Sequence, residues 1–273
     1  MTRTAILLTL LVSALFSAPA HAQQHAFVSV HGLDTNPCTE SQPCRTFQQA
    51  YNIAPTNGEI EVLDPAEYGP LTITHGISIQ GHGWGGITRA VSCDTCVAIT
   101  ISVTTSDPVL LNGLVIDGGG SGKYGIYITS GASVQILNSV IRQFQYGIYD
   151  LTTSPKSNLL IEDTIVSDNR ADGILIAPRG GGVNATLNRI TANNNYVGVH
   201  ISNRNTTIAN SVMSNNSDAG LQCGGIAWLA KAVISGNGTG VYSRGGTVNS
   251  YGDNYINDNA TSVVGSLTPV STQ

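Results

Sequence analysis

Residues 172–201 read Asp172-Gly-Ile-Leu-Ile-Ala-Pro-Arg-Gly-Gly-Gly-Val-Asn-Ala-Thr-Leu-Asn-Arg-Ile-Thr-Ala-Asn-Asn-Asn-Tyr-Val-Gly-Val-His-Ile201, and this stretch decides the fold. It opens on a Gly-Ile-x-Ile run, passes Leu187-Asn188-Arg-Ile-Thr191, and closes on Val197-Gly-Val-His-Ile201, a second copy of its own opening. The opening recurs outward as Tyr124-Gly-Ile-Tyr-Ile128, Tyr146-Gly-Ile-Tyr149, Ala219-Gly-Leu-Gln-Cys223 and Thr239-Gly-Val-Tyr242. The inner landmark recurs in phase as Leu111-Asn112-Gly-Leu-Val115, Leu137-Asn138-Ser-Val-Ile141, Glu162-Asp163-Thr-Ile-Val166, Ala209-Asn210-Ser-Val-Met213, Ala230-Lys231-Ala-Val-Ile234 and Gly252-Asp253-Asn-Tyr-Ile256. Six residues beyond the centre of each comes a third landmark: Gly118, Phe144, Asn169, Asn194, Asn216, Asn237 and Asn259.

A unit of about 20–26 residues is too short for two helices, and its apolar runs alternate at period two. Each unit is therefore a set of short strands joined by Gly and Asn turns. Units that repeat three landmarks in phase stack in register, which predicts an all-β parallel β-helix with equivalent residues roughly 4.8 Å apart. The leucine spacing and helix of leucine-rich repeats are absent, and a propeller blade needs about forty residues. Asn194, Asn216, Asn237 and Asn259 are expected to form a column in which each amide bonds the coils above and below. Upstream, Thr46-x-x-Gln49 reads as a capping box, and Phe47, Ala50 and Tyr51 share one helical face. The expectation is a cap helix over Arg45–Ala54, followed by irregular strands at Glu59–Leu63 and Leu71–Ile79. The organisation expected is a leader over 1–22, a cap segment over 23–57, the β-helix over 58–262 and a tail over 263–273.

Composition agrees with this architecture. Of 273 residues, 41% are hydrophobic but only 11% are charged, and Lys123, Lys156 and Lys231 are the only lysines. An ordinary soluble domain is about a quarter charged, and helical surfaces need that coating. Net charge is -5, with 12 basic against 17 acidic residues, which argues against nucleic acid as a partner.

Met1–Ala22 carries Arg3, the apolar run Ala5–Phe16 and the small-residue ending Ala20-His21-Ala22, the pattern of a secretory signal cleaved before Gln23. The run is too short to span a bilayer, so the expected location is secreted or periplasmic, with no membrane span after cleavage. An oxidising compartment makes disulfides the default for the five cysteines. Cys38 with Cys44 and Cys93 with Cys96 are the expected couples, although four cysteines allow three pairings. Cys223 is left over as a small buried apolar residue.

The repeated Gly-Ile-x-Ile and Asn-Ser-x-Ile runs, the Asn column and the cap helix resemble the single-stranded right-handed parallel β-helix family of the pectate-lyase-like superfamily. The opening from Phe27-Val-Ser through Asn36-Pro-Cys38, Pro43-Cys44-Arg-Thr-Phe47 and Ile73–Gly81 resembles exported bacterial members of undefined activity. The resemblance covers about residues 26–262 and implies right-handedness and an association with polysaccharides. It does not fix a reaction, because one fold hosts many functions.

Polygalacturonase-like members carry Asn-Thr-Asp, Asp-Asp, Gly-His-Gly and Arg-Ile-Lys on successive coils. Here Gly81-His82-Gly83 is present without an Asp-Asp pair or Arg-Ile-Lys, so His82 reads as part of a turn. Pectate-lyase-like members need Ca²⁺ held by several acidic oxygens and an Arg or Lys base. Asp163, Asp168 and Asp172 are close in sequence but read as turn residues. Glu59, Glu61, Asp64 and Glu67 form a local acidic cluster with no matching base.

More suggestive for binding is the residue between the two apolar positions of each Gly-Ile-x-Ile strand, which points outward. It gives the column Tyr127, Tyr149, Leu175, His200, Gln222 and Tyr242, with Arg179, Arg204 and Arg244 in the turns that follow. Aromatic faces stack on sugars and guanidinium forks pair with carboxylates. The expectation is a monomer that binds polysaccharide along this Tyr/His/Arg face without a cofactor. The alternatives are a polysaccharide lyase, with Ca²⁺ and with Arg179 or Arg204 as base, or a glycoside hydrolase. A structural or adhesin-like rod is the third reading.

Overall fold

The computed structural model describes residues 25–88, 95–104, 106–154, 156–202 and 205–271. The signal-like segment and Cys93, Arg204 and the last two residues lie outside these. Among the described residues, twenty-five strands pair in parallel, each with the equivalent strand of the next coil, and they form three walls around one apolar core. One wall runs through Asp172–Ile176, Val197–Ile201, Ala219–Cys223, Thr239–Ser243 and Thr261–Val264. A second includes Ser157–Glu162, Val183–Asn188, Asn205–Ala209, Ile226–Ala230 and Thr247–Ser250. The third includes Ile165–Ser167, Thr191–Asn193, Val212–Ser214 and Val233–Ser235.

Register makes the repeat concrete. Ile126, Ile148, Ile174, Val199, Leu221 and Val241 pair in succession and are fully buried. Two corners of the coil adopt left-handed backbone, and Asn or Asp fills most of their positions because these residues tolerate that conformation. One corner holds Asn138, Asp163, Arg189, Asn210 and Lys231, with φ of 48–52°; the other holds Gln143, Asp168, Asn194, Asn215 and Asp258, with φ of 54–61°.

The asparagine column differs from expectation by one residue. Asn195 occupies the buried position, and Asn194 is the exposed left-handed residue before it, its amide reaching Asp168. The observed ladder runs Asn169, Asn195, Asn216, Asn237, Asn259. In it Asn195 donates its backbone N–H and its Nδ2 to Oδ1 of Asn216 at 2.9 and 3.2 Å, and Asn216 treats Asn237 the same way at 2.9 and 2.9 Å. The second Nδ2 proton goes to a carbonyl, Val166 for Asn195 and Ala192 for Asn216. The shift arises because Ile165 pairs with Thr191, which aligns Asp163 with Arg189 rather than with Asn188. Likewise Asn112 pairs with Leu137, so Gly113 is the counterpart of Asn138.

The ladder also explains the glycine of the Gly-Ile motif. A Cβ on Gly173, Gly198 or Gly220 would lie within 2.8–2.9 Å of the Nδ2 of Asn195, Asn216 or Asn237. The two landmarks are thus halves of one contact between a wall and a corner.

At the N-terminal end the helix Phe47–Ile53 covers the first coils, burying Phe47, Ala50 and Tyr51. Thr46 caps it by accepting from the Gln49 N–H, while Asp34 accepts from Thr46's own N–H at 2.9 Å. The strand expected over Leu71–Ile79 is two, Leu71–Ile73 and Ile77–Thr88, because the chain turns a corner at Thr74–Gly76. There the Tyr51 hydroxyl accepts the Thr74 and His75 N–H groups, both at 2.7 Å, in place of a neighbouring strand. At the other end, pairing passes the expected limit at residue 262: Val263 pairs with Val241, and Leu267–Pro269 with Val248–Ser250. Cys38 and Cys44 form a disulfide, Cys96 is also disulfide-bonded, and buried Cys223 is a free thiol whose pKa burial pushes up.

Candidate functional site

The outward column stands in register as read from the sequence: Tyr127, Tyr149, Leu175, His200, Gln222 and Tyr242 are successive partners. It is not uniformly open, since Leu175 and Gln222 are buried between longer neighbours. The Tyr end is half-buried and denser than expected, because Tyr124 and Tyr146, which stand before the motif's glycine, turn their rings onto Tyr127 and Tyr149. Tyr124 and Tyr146 join Tyr127 and Tyr149 in a four-ring cluster. Tyr124 stacks on Tyr127 with centroids 4.6 Å apart and planes 11° from parallel. Tyr146 lies 5.3 Å from Tyr149 and 5.6 Å from Tyr124.

Cations flank the cluster. Lys123 places its Nζ 5.0 Å from the Tyr124 ring centre. Arg179 lies in an exposed turn whose N–H bonds the Thr152 carbonyl, close enough to act on the Tyr149 phenol. Burial pushes the Tyr149 phenol up, reinforced by Tyr124, Tyr146 and Tyr127 and opposed by Arg179. Burial likewise raises the Tyr146 phenol, with Asp172 and Tyr124 adding to it and Lys123 opposing. Both hydroxyls are held as neutral donors. Arg244 is exposed beyond Tyr242, and Arg204 lies outside the described residues.

Beyond the rings comes a polar chain that the sequence did not disclose. Asp172 is the first residue of a strand and is buried, not the solvated turn residue expected. Its Oδ2 lies 3.2 Å from His200 Nδ1, and His200 Nε2 lies 3.0 Å from Gln222 Nε2. With the Gln222 amide donating, a neutral His200 carries its proton on Nδ1, facing Asp172. The other two aspartates turn elsewhere. Asp163 meets Arg189 at 2.7 Å, a bond that holds its carboxyl below the usual range, and Asp168 accepts from Ser167 at 2.8 Å. The three carboxylates do not converge, so they are not the Ca²⁺ set considered from sequence.

Residues 90–266 match the family model described as the right handed beta helix region. The chain belongs to the right-handed β-helix family. Handedness and coil stacking are therefore those of that family. Among curated proteins none matches the chain. A solved right-handed β-helix of similar shape is the A-module of the mannuronan C-5 epimerase AlgE4 of Azotobacter vinelandii. It superposes with a TM-score of 0.58 at 20% identity, over 76% of this chain and 71% of that one. At that identity the likeness establishes the fold.

Proposed function

We propose that this β-helix protein binds an acidic polysaccharide along the wall bearing Tyr124, Tyr127, Tyr146 and Tyr149, with Arg179 and Lys123 pairing the sugar carboxylates. The observation that carries the reading is the four-ring cluster flanked by two cations. Rings offer faces to the apolar side of a pyranose, neutral phenols donate to hydroxyls, and the guanidinium fork fits a carboxylate. The column continues through His200 to Tyr242, five coil steps or roughly 24 Å, room for an oligosaccharide. The likeness to a protein named for mannuronan adds weight to a uronate chain as the class of ligand. Export, read from Met1–Ala22, would place the protein where such polymers occur.

The test is calorimetric titration of the full chain with mannuronan, polygalacturonate and a neutral glucan. Binding of one or both uronates is expected, weakening at least tenfold in Tyr149→Ala and in Arg179→Ala. Binding that ignores both substitutions, or no uronate binding at all, sinks the reading.

A second reading, a uronate lyase, is favoured by the Asp172–His200–Gln222 chain adjoining Tyr146. Lyase action leaves an unsaturated uronate, so absorbance growing with polymer, with or without Ca²⁺, and lost in His200→Ala, supports it. No product from any uronate polymer removes it.

A further inference from the structure

Two motifs that the polysaccharide face leaves unused, Glu59-Ile-Glu61 and Gly81-His82-Gly83, meet on the first coils. Glu59 and Glu61 project from one side of the strand Gly58–Val62. His25, on the strand laid beside it, pairs in register with Glu59 and sets its Nδ1 3.3 Å from Glu59 Oε1. His82, held in left-handed backbone at φ 56°, approaches from the next coil and sets its Nε2 2.8 Å from Glu61 Oε2. One ligand atom each from His25, Glu59 and Glu61 lies within 4.8 Å of the others.

We propose that His25, Glu59, Glu61 and His82 bind a divalent first-row metal ion, and that zinc is the ion their donor set fits. Two imidazoles with two carboxylates are borderline ligands of the kind zinc accepts, whereas calcium and magnesium take oxygen almost alone. Tetrahedral zinc with bonds of about 2.0–2.1 Å separates neighbouring ligand atoms by roughly 3.3–3.4 Å. The His25–Glu59 distance of 3.3 Å matches that spacing, and the His82–Glu61 distance of 2.8 Å has to open by about 0.5 Å to admit the ion.

Three further observations support a built site. The remaining oxygen of Glu59, Oε2, accepts from Ser78 Oγ and Gln80 Nε2 at 3.0 Å each, and Asn112 Nδ2 holds Gln80 Oε1 at 2.8 Å. That is the outer hydrogen bonding which orients metal-ligating carboxylates. Among the described residues, the ion pairs made by arginine go to Asp117, Glu162 and Asp163, so neither Glu59 nor Glu61 is neutralised by one of them. Finally, the cluster opens into a cleft of about 590 Å³, whose apolar side is Phe27, Val62, Leu63 and Trp84. An ion there remains reachable by water or a small ligand.

The experiment is calorimetric titration of tag-free, chelator-stripped full chain with ZnCl₂, and with CaCl₂ and MgCl₂ in parallel. One equivalent of zinc is expected to bind, at least tenfold more weakly in both Glu61→Gln and His82→Ala. Far-ultraviolet circular dichroism of the metal-free variants, unchanged from the parent, separates loss of ligand from loss of fold. No saturable zinc binding, binding unchanged in both variants, or a preference for calcium or magnesium overturns the proposal.

Discussion

Asn216 and Asp150 are both polar side chains sunk into the same apolar tube, with relative exposures of 1% and 2%, yet they stand in opposite thermodynamic positions. Asn216 finds a partner for every donor and acceptor it owns, because the coil on either side carries the same residue. Asp150 interrupts a column of apolar residues, between Ile128 and Ile176, and among the described residues its carboxylate receives a hydrogen bond only from the Thr152 N–H. Ser157, lining the same small internal space, has a buried hydroxyl with no hydrogen-bond partner among the described residues. Burial raises the Asp150 pKa to about 6. The difference teaches that a buried polar side chain is stabilising in this fold when the repeat supplies its partner, and costly when it appears once.

The scale for both is set by an apolar neighbour. Ile174→Ala empties a fully buried position and is expected to cost about 2–5 kcal/mol by chemical denaturation. A loss no greater than that of Asn216→Ala would show that the ladder, not the apolar core, dominates.

The Asp150 contrast has a pH signature. The folded carboxyl titrates near 6, above the ordinary aspartate value of 3.8, so the native state binds the proton more tightly than the unfolded chain does. Stability falls as pH rises from about 4 to 6, and the penalty, about 3 kcal/mol, is complete above 6. Asp150→Asn is expected to be the more stable protein at pH 8 and equal to the parent near pH 4, read from paired melting curves. A difference that does not change with pH would break the comparison.

Asn216→Ala should cost about 1–3 kcal/mol by orphaning groups on two neighbouring coils. The sharpest control is the smallest effect: Asn194→Ala, at the exposed corner beside the ladder, should change stability by no more than about 0.5 kcal/mol. Equal losses at Asn194 and Asn216 would mean that the column carries no special weight.

The coil was legible because its landmarks recur, and a repeated Gly-Ile pairs with a repeated Asn across many units. The frame slipped where composition imitates structure. Leu187-Asn188 looks like Leu137-Asn138, yet the left-handed corner falls on Arg189, and three consecutive asparagines at 193–195 offer no reason in sequence to prefer the last. At the candidate site, Tyr127, Tyr149, His200 and Tyr242 were readable as alternate residues of successive strands. Tyr124 and Tyr146 were missed, although both stand directly before the motif's glycine. The Asp172–His200 contact joins residues 28 positions apart, and that separation carries no local signal. The meeting of His25 and His82 with Glu59 and Glu61 was hidden for the same reason. Each pair spans adjacent coils of the irregular end, where the period gives no guide.

The parallel stacking has a kinetic meaning. Along the asparagine column each bond from one asparagine to the next joins residues 26, 21, 21 or 22 positions apart, whichever coil it belongs to. The entropic cost of closing a loop depends on its length, and folding slows as contacts become more distant in sequence. An ordinary all-β protein of this size must search for partners across most of its chain. This one can start at any adjacent pair of coils and grow outward, so a further coil lengthens the molecule without lengthening the search.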